Sequence, residues 1–194
     1  MNPTISNETS NPYSIDSNSQ VFTASWDGPM WVLNAILLVF YGSLTLVFLL
    51  IGLSVLQNNI WAGITMLSSS LLSLLALAGP AGFAPRRYEI KDDAIAIKRL
   101  IPKDVRIPFS KVCSIEPTGY KHAFKNSLRI MGSGGGFGFY GSFTSQNLGR
   151  FQAYATRKSN CVLIRTQDRA VVVTPDDPDS FIAAVREKAG LKAK

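Results

Sequence analysis

Two apolar runs of helical length stand near the start of the chain, and short alternating stretches fill the remainder. Residues 31–56 are almost unbroken apolar, with Asn34 the one strongly polar side chain. As a helix this run is about 39 Å long, against about 30 Å of bilayer hydrocarbon, so it spans with room to tilt. Gln57-Asn58-Asn59 interrupts it, and a second run over 60–79 is expected to end at Gly79-Pro80. Neither run has a polar face, which argues against a pair of buried helices in a soluble protein. Lipid offers no partner to free backbone groups, so both spans must be helical. The short link allows only a tight antiparallel hairpin, here assigned to residues 30–85. Ser68, Ser69, Ser70 and Ser73 suit close packing against Gly42 or Gly52 of the first span. No ionisable group interrupts either span, which favours a simple anchor over a transport pathway.

Residues 1–29 are rich in Asn, Ser and Thr and have few large apolar side chains. Such a stretch buries too little surface to offset its ordering entropy, so a disordered tail is expected. It does not read as a signal peptide, because no basic region precedes the apolar core. Charge sharpens the division. All 20 Lys and Arg residues lie from Arg86 onward, and only Glu8, Asp16 and Asp27 are acidic before that point. With Arg86 and Arg87 directly after the second span, the positive-inside rule puts both termini in the cytoplasm. Trp31 and Trp61 then suit opposite interfaces.

Residues 86–194 suffice for one small domain. Asp92-Asp93 is a two-residue hairpin signal between strands at 88–90 and 94–99. Further strands are expected at 105–109, 112–116, 127–131, 151–156, 160–166 and 169–174. Pro108 marks an edge strand. The period then becomes helical: Asp177 is an N-cap, Pro178 the first helical residue, and Phe181, Ile182, Val185 and Ala189 share one face. Gly190 terminates that helix. About seven strands and a final amphipathic helix suggest an α+β domain, a seven-stranded antiparallel β-barrel or sandwich closed at one end by the helix.

That order, with Gly141-Ser142-Phe143 through Leu148-Gly149, Tyr154-Ala155-Thr156, and Thr174-Pro175 leading to Asp177-Pro178 and Phe181-Ile182, resembles a pleckstrin-homology (PH) domain. It is similar in particular to the bacterial PH-like families that follow transmembrane helices. The resemblance covers roughly residues 86–190 and implies a non-catalytic binding or scaffold module. Inositol-lipid PH domains carry basic residues at the first hairpin turn. Here that turn is Asp92-Asp93, which repels phosphate, and the final helix lacks their usual Trp.

Three groups of residues are candidates for contact. Arg86 and Arg87 are juxtamembrane; Lys98, Arg99, Lys103 and Arg106 cluster around one turn; Lys121, Lys125 and Arg129 cluster around another. Each charge close to an anionic leaflet contributes about 1 kcal/mol, screened beyond about 10 Å. The glycine-rich run from Met131 to Gly141 formally contains GxGxxG, but aromatics and a strand follow it where a dinucleotide site needs a helix. It reads as a flexible or bulged hairpin, with Phe137, Phe139, Tyr140 and Phe143 candidates for a lipid-dipping or partner-docking tip and some of these rings expected to fill the core. His122, Cys113 and Cys161 have no metal-ligand spacing, and both cysteines sit in apolar patterns suited to the core. Asp92-Asp93 and Asp176-Asp177 are explained by turn and cap chemistry. No metal, cofactor or nucleic-acid site is expected, and no constellation of nucleophile, base and oxyanion donors is present. Two functions stay open: a basic face on anionic phospholipid headgroups, or a protein-interaction scaffold or self-associating subunit of a membrane complex.

Overall fold

A computed structural model describes residues 19–101 and 103–191. The first helix, α1, runs Gly28–Leu56, and α2 runs Ile60–Phe83. Each has a side-chain cap satisfying an otherwise orphaned amide. Asp27 Oδ1 accepts from the Met30 N–H at 3.1 Å, and Asn59 Oδ1 from the Ala62 N–H at 3.1 Å. Both helices qualify as candidate membrane spans. Their flanks are open: Val39 is 67% exposed and Leu72 68%, so they are not core helices of the globular part. The second helix does not stop at Gly79-Pro80 as expected. It continues past Pro80 to Phe83, because a proline this near the end withholds only one late bond, from the Ala76 carbonyl.

The hairpin contact uses small residues, though not quite the expected set. Ser70 and Ser73 are buried. Thr45 Oγ1 donates to Ser73 Oγ at 3.0 Å, and Ser73 Oγ donates to the Tyr41 carbonyl at 3.3 Å. Gly52 lies against Leu67, whereas Gly42 faces open space. Ser68 and Ser69 bond back to their own helix at Ile64 and Thr65.

Among the described residues the strands, roughly as many as expected, form two open sheets, so of the barrel or sandwich expected the closed barrel is not formed. One sheet has the order β1-β2-β3-β4: Gln20–Thr23, Arg87–Ile90, Ala94–Lys98 and Val105–Pro108. Of the tail expected to be disordered, residues 1–18 lie outside the described residues, while Gln20–Thr23 pairs antiparallel with β2. Phe22 explains the docking: its ring meets that of Phe181 edge-on at 5.2 Å. Pro108 does lie on an edge strand, β4.

The second sheet has the order β5-β9-β10-β8-β7-β6. Its strands are β5 Val112–Thr118, β6 Leu128–Gly135, β7 Gly138–Ser145, β8 Gly149–Ala155, β9 Cys161–Thr166 and β10 Ala170–Val173. The β10–β8 pair is parallel, which corrects the all-antiparallel expectation. Strand β7 occupies the segment that the glycines concealed. Gly132 and Gly141 face each other across β6 and β7, and a Cβ on either would fall within 2.2 Å of a carbonyl oxygen opposite. Glycine there permits close strand approach, and β6 carries a bulge between Arg129 and Met131.

Strands β9 and β10 are buried on both faces. One face joins Tyr88, Ile97 and Phe181 between the sheets, under α4, which runs Pro178–Ala189. The other joins Phe139, Phe151 and Leu163 beneath the short helix α3, Tyr120–Phe124, and Met30 of α1. The α4 boundaries follow the sequence reading: Asp177 accepts from the Ser180 amide, and Gly190 is left-handed at φ 64°. Cys161 is buried in the second cluster, but Cys113 is exposed, because the β5 bulge between Val112 and Ser114 turns it outward.

Candidate functional site

The helical hairpin and the β-domain are joined by polar contacts that none of the local sequence signals marks. The strap from β1 to α1 is held by Asp176. Its carboxylate accepts from the Ser25 amide at 3.1 Å, from Ser25 Oγ at 2.7 Å and from Thr23 Oγ1, and it pairs with Arg157. Partial burial pushes the Asp176 carboxyl upward, but these hydrogen bonds and the Arg157 charge outweigh it and hold it below the usual carboxylate range. Thr156 Oγ1 donates to the Ser25 carbonyl at 2.8 Å.

At the opposite side of the junction, the β6–β7 turn meets both helices. Phe137 is left-handed at φ 63°, and its amide donates to Asn34 Oδ1 at 2.8 Å. Tyr140 donates its hydroxyl to the Pro80 carbonyl at 2.8 Å. A Cβ on Gly136 would come within 2.8 Å of Leu37. The aromatic tip candidates, Phe143 of the sheet core included, are therefore not a free tip. Phe137 and Tyr140 are buried with Trp26 and Leu77 against the hairpin, and Phe139 is buried in the sheet core. Apolar rings beside two apolar helices bury more surface by docking inward than by projecting.

The basic candidates divide by partner. Arg87 pairs with Glu89 at 2.9 Å, and Lys98 bridges Glu89 and Asp104. Arg99 donates to the Lys103 carbonyl and lies over the Tyr154 ring at 5.9 Å. Arg106 is not part of that cluster: it reaches to the other end of β4 and pairs with Asp93 at 3.2 Å. In the same turn Asp92 pairs with Lys188 at 2.8 Å. Among the described residues, Arg86, Lys103, Lys121, Lys125 and Arg129 form no ion pair. Lys121 lies on α3, Lys125 ends it, and Arg129 lies on β6.

A feature missed in the sequence is the Leu100-Ile101 turn. Both amides donate to the Gly82 carbonyl at 3.1 Å, at the end of α2. Their side chains are 62% and 61% exposed, between Arg99 and Lys103. An apolar pair flanked by cations was the available signal. A second missed feature is a cleft of about 430 Å³ between the start of α1 and the end of α2, with Trp26, Trp31 and Arg86 in its wall. Among the described residues no cluster of His, Cys, Asp or Glu suits a metal ion.

Two open sheets followed by a C-terminal helix that packs on them fit a PH-type module, and it follows two candidate membrane spans. The sequence model of the bacterial PH domain matches residues 86–189, more than half of the chain, and the chain belongs to that family. PH domains are generally non-catalytic. No curated protein and no solved structure matches the chain. Strand β1, at residues 20–23, lies outside the matched segment.

Proposed function

We propose that this protein is a membrane-anchored, non-catalytic PH module whose basic face contacts anionic phospholipid headgroups on the cytoplasmic side. The observation that carries the reading is the Leu100-Ile101 turn, tied to Gly82 and flanked by Arg99 and Lys103. Exposed apolar side chains beside cations at the end of an apolar helix fit an interface between lipid and water. Helix lengths agree. Gly136 lies against Leu37, and Tyr140 against Pro80. Beyond those points each helix has about 20 residues, or about 30 Å, enough to cross the hydrocarbon once. The charge asymmetry supports a cytoplasmic domain with both termini on that side.

The test uses the full chain in lipid nanodiscs. A water-soluble amine reagent is applied in neutral and in anionic bilayers. Labelling of Lys103, Lys121 and Lys125 is expected to fall in anionic bilayers at low salt and to recover at high salt. Equal labelling in both bilayers at every salt concentration rejects the headgroup contact.

One observation favours a second reading, self-association. Strand β6 is a sheet edge and exposes Leu128, Ile130 and Met131. An edge of this kind can accept a strand from another chain. Cross-linking through a cysteine at 128, insensitive to salt and abolished by Met131→Lys, supports it; an absence of cross-linked dimer removes it.

A further inference from the structure

We propose that the cleft between the start of α1 and the end of α2 binds the headgroup of a single anionic phospholipid. The proposal rests on the reading of the hairpin as a membrane anchor and adds a defined site to it. The cleft, of about 430 Å³, falls in the size range of small-molecule sites. Its wall is formed by Ser25, Trp26 and Trp31 from one side and by Ala81, Ala84 and Arg86 from the other. Trp26 and Trp31 stand edge-to-face, with centroids 5.8 Å apart.

Three observations choose the occupant. The first is charge. Arg86 is exposed and has no acidic partner among the described residues, whereas neighbouring Arg87 is taken up by Glu89. A guanidinium at a cleft can take a phosphodiester through two parallel hydrogen bonds. The nearby Asp27 carboxylate is not in the cleft wall: one oxygen accepts from the Met30 amide, the other from the Lys158 amide at 3.4 Å. The second is chemistry of the wall. Indole rings prefer the depth of the glycerol and ester groups, with an apolar face and one N–H donor. The third is continuity. Ala81 and Ala84 line the cleft where the apolar helix α2 ends, so acyl chains can follow that helix while the phosphate meets Arg86. A soluble anion would have no use for the two indoles or the apolar path.

The three tryptophans make the test direct. In the full chain carrying Trp61→Phe, emission comes from Trp26 and Trp31 alone. The protein is reconstituted in phosphatidylcholine vesicles containing a small fraction of brominated phosphatidylglycerol or the same fraction of brominated phosphatidylcholine. Quenching by the brominated anionic lipid is expected to exceed that by the zwitterionic one, with an apparent affinity ratio of about fivefold at physiological salt. Arg86→Gln should bring the two to equality, and Lys121→Gln/Lys125→Gln should leave the preference intact. A second protein, with Trp26→Phe and Trp31→Phe, reports on Trp61 alone. Quenching of Trp61 by either lipid means that the hairpin is embedded; its absence removes the anchor and the site together. An embedded hairpin with equal quenching of Trp26 and Trp31 by both lipids overturns the site alone. So does a preference that survives Arg86→Gln.

Discussion

The side chain of Asn34, in the second turn of a candidate membrane span, accepts the backbone N–H of Phe137 at 2.8 Å, 103 residues further along the chain. Asn34 is only 4% exposed, and Phe137 holds a left-handed conformation there. This single bond ties the first helix to the turn of β6 and β7. Asn34→Leu is expected to strand the Phe137 amide in an apolar setting, at a cost of about 1–3 kcal/mol. Hydrogen exchange on the full chain in micelles should show residues 135–138 exchanging at least tenfold faster, with exchange in β9 unchanged.

The strap at Asp176 makes the junction acid-sensitive. A carboxyl held below its usual range stabilises the folded state above that range, and the contribution disappears as pH falls through the lowered value. Exchange of the β1 amides at residues 20–23 should therefore accelerate below about pH 4, near the ordinary aspartate range. Asp176→Asn should flatten this dependence while raising β1 exchange at neutral pH. An identical acid profile in the variant would rule out the strap as its source.

Tyr88 is fully buried and joins the two sheets. Its hydroxyl donates to the Tyr154 carbonyl at 2.6 Å and accepts from the Thr174 amide at 3.1 Å. Burial pushes its phenol up to about 12. Tyr88→Phe should lower stability by about 1–3 kcal/mol, read by thermal unfolding, because two buried backbone groups lose their partner. Absorbance titration of the wild type should leave this one tyrosine un-ionised until the domain unfolds or the pH reaches about 12.

Two glycines of the hairpin should respond in opposite ways. A Cβ on Gly63 would lie 2.7 Å from the Leu56 backbone, while one on Gly42 would meet open space. Gly63→Ala is expected to destabilise the hairpin by about 1–3 kcal/mol through overpacking. Gly42→Ala should be neutral or gain up to about 1 kcal/mol of helix propensity. Unfolding of the full chain in mixed micelles separates the two.

A fragment starting at Arg86 spans the family match but lacks β1 and the Phe22–Phe181 contact. It is expected to melt at lower temperature than the same fragment with residues 19–26 fused ahead of it through a flexible linker. Equal melting temperatures would mean that β1 contributes nothing to the sheet.

The sequence by itself determined the elements whose cause is local. Apolar length defines α1 and α2, because a run without a polar face is recognisable residue by residue. Asp177, Pro178 and Gly190 delimit α4 because caps act within one turn. The Asp92-Asp93 turn was legible for the same reason, Pro108 marked an edge because proline cannot donate to a ladder, and the PH resemblance rested on the order of elements and a set of short motifs. Of the contact candidates, the sequence marked the basic residues but not their pairing: Arg106 with Asp93 and Arg87 with Glu89 depend on which strands adjoin.

Only the tertiary structure decided what distant segments share. Nothing in residues 20–23 announces a strand; they become one because β2 offers an open edge and Phe22 finds Phe181. Strand β7 was hidden by glycines whose purpose, close approach of Gly132 and Gly141, exists only once the strands are paired. The aromatic turn likewise changed from a projecting tip to a buried joint, since the surface that covers Phe137 and Tyr140 comes from α1 and α2. Periodicity and capping record what a residue does with neighbours one turn away. Burial, pairing and the cleft at Arg86 depend on contacts between segments tens of residues apart, which no local pattern encodes.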